Sequence, residues 1–106
     1  MKDVSKKDWK LYRERIPEWQ ENYMERLCRE YIELLNSNED ASKRFWELEK
    51  RIKKDKKNPG VIIELSRSEM VWDLARLIQL DVITEDDLDG FSEELIEEVM
   101  AIIHRG

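Results

Sequence analysis

Apolar residues recur at every third or fourth position from Trp9 through Tyr12, Ile16, Trp19, Tyr23, Leu27 and Tyr31 to Leu34, with no break in the pattern. A stripe of that period is one face of an α-helix, and a strand, whose side chains alternate with period two, cannot produce it. The stripe also survives Pro17, which removes one helical hydrogen bond and frees the carbonyl of Arg13. Because the phase is kept across the proline, the pattern predicts one long helix, roughly residues 6–36, kinked at Pro17. Before Pro17 the apolar stripe is narrow. After it Met24, Cys28, Ile32 and Leu35 widen the face, which points to a second half at the centre of the fold and a first half reaching out along one side.

The rest of the chain reads as helix too. Asn38 stands where it can cap a second helix carrying Ala41, Phe45, Leu48 and Ile52 and running to about Lys57, before the turn Asn58-Pro59-Gly60. Residues 61–65, Val-Ile-Ile-Glu-Leu, fit either an extended piece or the start of a helix. Ser66 and Glu69 have capping-box spacing ahead of Met70, Leu74, Leu77 and Ile78, which mark a third helix to about Leu80. An acidic turn from Thr84 to Gly90 leads to a last helix started by Ser92, with Leu95, Val99, Ile102 and Ile103 as its buried stripe. With three glycines and two prolines in 106 residues, little turn chemistry is left for a sheet-rich fold. The expected architecture is therefore all-α, a bundle of four to five helices in a single domain over 1–106.

Charge is plentiful and unevenly placed. Charged residues make up 42% of the chain, well above the usual share of about 25%, as suits helices with one buried face. Residues 1–60 carry 16 Lys/Arg against 13 Asp/Glu, whereas residues 61–106 carry 3 against 12. The basic extreme is the 50–57 segment, and the acidic extreme is 85–98. The start of the chain has no apolar stretch of signal-peptide type, and the longest apolar run, Val99–Ile103, is far short of the ~20 residues that span a bilayer. Cys28 is alone, so no disulfide can form within the chain. A cytoplasmic protein without membrane contact is the expectation.

The stretches SKKDWKLYRERIPEWQENYMERL, FWELEKRIKKDKKNPG, SRSEM and VITEDDLDGFSEEL resemble a family of small uncharacterised all-helical proteins from Gram-positive bacteria. The resemblance spans nearly the whole chain and lies in its overall texture rather than in a functional motif. Members sometimes carry the label multidrug transporter, which the absence of any spanning segment contradicts for this chain. The resemblance implies no activity and no site residues.

No chemical motif emerges from the residues. Glu85-x-Asp87-x-Asp89-Gly90 has the opening texture of an EF-hand loop, but the twelfth position, where a bidentate Glu should close the cage, is Ile96. His104 and Cys28 are too few for a zinc site, and Gly60, Gly90 and Gly106 are too scattered for a phosphate cradle. Cys28 reads as a small buried hydrophobe. Ser66-Arg67-Ser68-Glu69-Met70-Val71 resembles the opening of the second helix of ribbon-helix-helix DNA-binding proteins, yet a basic helix and a Pro-Gly turn precede it and acidic helices follow. No catalytic residues, cofactor, metal or small-molecule substrate are expected. The residues singled out are Trp9, Tyr12, Ile16, Trp19 and Tyr23, an aromatic ridge that is either core or a partner surface, since Trp and Tyr anchor many interfaces. The functional expectation is a non-enzymatic protein–protein interaction module, self-associating through its first helix as a homodimer. A nucleic-acid-linked regulator, using the basic 50–57 segment or a DNA-like acidic surface at 85–98, is the alternative.

Overall fold

The computed structural model describes residues 4–105, and among them the fold is all-α with no strand. Four α-helices, α1 (Lys6–Leu35), α2 (Ala41–Asp55), α3 (Met70–Gln79) and α4 (Glu93–His104), are joined by connectors that include a 3-10 turn at Glu85–Leu88 before α4. The expected bundle of four to five helices is thus present. α1 runs unbroken through Pro17, as the continuous stripe requires. Residues 62–66 are irregular rather than helical, which resolves the ambiguity at 61–65. No described helix is long and apolar enough to cross a membrane.

The chain, read from sequence as one domain over 1–106, forms two compact units: Met1–Trp19 with Glu64–Gly106, and Gln20–Ile63. The first holds a hydrophobic core. Tyr12, Ile16 and Trp19 of α1 are buried, as are Met70, Val71, Leu74, Ala75 and Leu77 of α3. Val82 and Ile83 tuck in after α3, and Val4, Leu88, Phe91, Leu95 and Val99 complete the set. The connector that turns them inward places Asp81 at φ 59, a left-handed conformation that Asp tolerates better than most residues. Ile102 and Ile103 at the end of α4 are only half-buried.

Polar side chains fix the ends of these helices. Ser5 Oγ accepts from the Asp8 amide at 3.0 Å, an N-cap contact for α1. Asp8 does not return the capping-box bond but reaches across to α4, accepting from the Ser92 amide at 2.9 Å and its hydroxyl at 2.6 Å. Ser92 Oγ in turn caps α4 through the Leu95 amide. A carboxylate only 3% exposed is therefore held by hydrogen bonds, as a buried charge must be. At the 3-10 turn Thr84 and Asp87 form the reciprocal capping box. Two expected caps are absent. Asn38 does not cap α2, which begins after Asp40, and the Ser66/Glu69 box does not form ahead of α3. Arg67 instead sends its guanidinium to the carbonyl of Val4 at 2.6 Å, drawing residues 66–69 into turns rather than a helix start.

The second unit is an antiparallel hairpin of the latter part of α1 with α2. Arg44 bonds the carbonyl of Leu35 at 2.7 Å, Arg51 reaches Glu30 at 2.8 Å, and Tyr31 donates to Asp55 at 2.6 Å. Asn58 donates to the Tyr23 hydroxyl at 3.1 Å, and Gln20 to the carbonyl of Pro59 at 3.1 Å. Gly60 packs directly against the Tyr23 ring, where a Cβ would collide with the ring carbons. That close approach explains a glycine at the point where the chain leaves the hairpin. The hairpin is held by these polar rungs, because its one buried hydrophobic side chain among the described residues, apart from Pro59 and Gly60 in the turn, is Leu27.

Candidate interaction surface

The aromatic ridge proposed from sequence is mostly core. Tyr12 is fully buried, Ile16 is 3% exposed and Trp19 is 7% exposed. Trp9 is half-buried beside Tyr12 with Arg13 over its ring, and Trp19 packs on Phe91 at 6.5 Å between ring centroids. Tyr23 is half-buried in the hairpin. Tyr12, Ile16 and Trp19 are therefore core, and of the row only Trp9 and Tyr23 keep part of their surface open. The reading of the two halves of α1 is reversed as well. The narrow stripe before Pro17 is the buried one, because a few large aromatics fill a core as well as many small aliphatics. The wide face after it is uncovered: Cys28, expected to be buried, is exposed, Ile32 is 57% exposed and Leu35 is 41% exposed.

α2 is uncovered in the same way. None of its 15 residues is buried, although its apolar and charged residues segregate strongly to opposite sides. Phe45, which the stripe marked as core, and its neighbour Trp46 are each 63% exposed and touch edge to face at 5.0 Å. Ile52 is 38% exposed. The residues turned toward α1 are Arg44, Leu48, Arg51 and Asp55, all half-buried. The apolar set, Ala41, Phe45, Leu48 and Ile52, is offset from them by about 60° around the helix at 100° per residue. The polar rungs to Leu35, Glu30 and Tyr31 have set the rotation of α2, and the apolar stripe hangs over the side.

These two uncovered stripes lie on one side of the hairpin. On α1, Cys28, Ile32 and Leu35 sit about 100° further round, in the sense of increasing residue number, than the side facing α2. On α2, Phe45 and Ile52 sit about 80° further round in the same sense from the side facing α1. In antiparallel helices, equal turns in the same sense swing both stripes to the same side. The rungs put Leu35 level with Phe45, Ile32 with Leu48 and Cys28 with Ile52. The result is a continuous apolar strip about three helical turns long, bordered by Trp46, which lies about 100° beyond Phe45 on the far side of α2 and touches its ring edge to face. Phe45 and Trp46 alone expose roughly 200–300 Å², taking about 150–250 Å² as the area of an aromatic side chain. That is roughly a third of the ~800 Å² which one side of a standard interface buries.

The other features singled out from sequence carry less. Arg15 sends its guanidinium to the carbonyls of Asp87 and Asp89, and Thr84 takes up the Asp87 carboxylate, so the acidic turn is occupied by the chain's own groups. Gly90, at φ 97, lets Arg15 approach: a Cβ there would lie 2.7 Å from its Nη2. Among the described residues no group of three or more His, Cys, Asp or Glu side chains is arranged to hold a metal. In the basic segment Arg51 is engaged by Glu30 and Asp55, and Lys53 by Glu49. A cavity of about 110 Å³ beside Asp8 and Ser92 is small, and both oxygens of Asp8 are already hydrogen-bonded within it. Comparison of the chain with protein-family models, with curated proteins and with solved structures gave no match.

Proposed function

We propose that the protein is a non-enzymatic interaction module that self-associates, and that its working surface is the uncovered side of the α1–α2 hairpin rather than the aromatic row of α1. The observation that supports this is the bare apolar face of α2. A 15-residue amphipathic helix derives most of its stability from burying its apolar face, and this one buries no residue. Exposed apolar patches of this size on a folded chain mark interaction sites more often than ordinary surface. The aromatic anchors of such a site are Phe45 and Trp46, with Ile32, Leu35 and Ile52 around them.

The test is light scattering across a range of concentrations, on the wild type and on a variant carrying Phe45→Ser and Ile52→Ser. Both side chains are exposed in the single chain, so the variant should keep its helical circular dichroism. The wild type should be a dimer or larger, and the variant a monomer. A wild type that stays monomeric throughout, or a variant that still associates, would refute the reading.

A further inference from the structure

Resting on that reading, we infer that two copies pair face to face about a two-fold axis parallel to the hairpin helices, laying α1 of each copy over α2 of the other in a four-helix bundle. The charges that border the strip lead to this arrangement. The α1 flank of the strip carries Glu21 and Glu25, and the α2 flank carries Lys53 and Lys56, all exposed. Arg29 pairs with Glu25 and Glu49 with Lys53, so that with these neighbours the first flank keeps a net negative and the second a net positive charge. The antiparallel rungs place them at the same end of the hairpin, since Tyr23 is level with Asn58 and Gln20 with Pro59. Within one copy the two flanks lie on opposite outer edges of the strip. A two-fold axis along the helices turns the second hairpin over, so that each acidic α1 flank meets the partner's basic α2 flank, twice by symmetry.

The same operation stacks apolar levels on each other. Leu35 of one copy meets Phe45 of the other, and Cys28 meets Ile52. Two hairpins with one uncovered side each give a closed bundle with a single shared apolar centre. The interface is isologous: the same patch serves both copies, so the assembly stops at two. The alternative two-fold axis, perpendicular to the helices, would lay α1 on α1 and α2 on α2 with their ends exchanged, so that neither charged flank would meet the oppositely charged one.

Two charge-reversed variants separate these outcomes. One carries Glu21→Lys and Glu25→Lys, the other Lys53→Glu and Lys56→Glu. Each alone sets like charges together at both contacts of the dimer, so its self-association should weaken by roughly ten-fold or more, judged from a few exposed pairs acting together. In an equimolar mixture the heterodimer has opposite charges at both contacts. At one of them the reversed α1 flank of the first variant, now basic, meets the reversed α2 flank of the second, now acidic. At the other the native residues meet. The mixture should therefore recover wild-type affinity by sedimentation or light scattering, and the recovery should fade in high salt. A mixture that associates no better than either variant alone overturns the pairing, even while loss of association in the Phe45→Ser, Ile52→Ser variant leaves the self-association reading standing. A wild type that is monomeric overturns both.

Discussion

At the scale of single residues, the first unit contains two groups poorly served by their surroundings, one in its core and one half-buried. The Tyr12 hydroxyl is buried with no protein partner in reach, and burial together with the charge of Asp73 pushes its pKa well up. An unsatisfied buried polar group costs about 1–3 kcal/mol. Tyr12→Phe removes the group and keeps the ring against Trp9, so it should stabilise the fold by about 1 kcal/mol in chemical denaturation. Asp73 is the second such group. Burial and then the neighbouring charge of Glu69 raise its pKa above the ordinary carboxylate value, with Arg76 opposing. A raised carboxylate pKa favours the folded state at low pH, and that advantage is lost as pH rises through the raised value. Asp73→Asn should therefore melt higher than the wild type at pH 7. The helix N-terminus partly offsets the penalty on the charge, which keeps the gain to about a few degrees. The advantage should shrink to nothing as pH falls through the ordinary carboxylate range, where Asp73 is protonated in both states. Melts from mildly acidic to neutral pH check the sign.

At the scale of elements, most of the helices were legible and their orientations were not. The period of the α1 stripe, its continuity through Pro17 and the Ser92 start of α4 follow from local chemistry that residues three and four apart settle among themselves. Which side of a helix is covered is decided by partners far away in sequence. α2 shows this most plainly: Ala41, Phe45, Leu48 and Ile52 give a strong stripe, but Arg44, Arg51 and Asp55 take the positions against α1 because Leu35, Glu30 and Tyr31 offer them hydrogen bonds. Arg67 departs from the expected cap ahead of α3 in the same way, and it and Asp8 each bond a group more than sixty residues distant. One signal for the uncovered surface was present in the sequence. After Pro17, α1 carries two apolar stripes, Tyr23-Leu27-Tyr31-Leu34 and Cys28-Ile32-Leu35, and a single neighbouring helix can cover only one of them. Taken as one broad central face, both stripes go into the core; the hairpin covers the first and leaves the second for something else.

At the scale of the whole molecule, apolar burial is divided very unequally between the two units. Every fully buried large side chain, from Tyr12 to Val99, belongs to the first. The hairpin has Leu27 and a set of surface ion pairs and hydrogen bonds, and exposed ion pairs add little stability. Local opening should therefore be easier in the hairpin than in α3 or α4. If a second copy covers the strip, it binds the closed hairpin and not the open one, so it suppresses opening by mass action. Native-state hydrogen exchange at two protein concentrations reads this directly. In dilute monomer, amides of α2 at 41–55 should exchange much faster than those of α3 at 70–79. At a total concentration about 100 times the dimer Kd, free monomer falls to about a fifteenth of the chains, so α2 protection should rise by about 15-fold if opening proceeds from the monomer. Protection in α3 should not depend on concentration in the same way, because its side chains already have their partners within the unit. Equal protection of α2 and α3 in dilute monomer would mean that Leu27 and the polar rungs suffice, and that the apolar strip is a surface the hairpin tolerates without needing it covered.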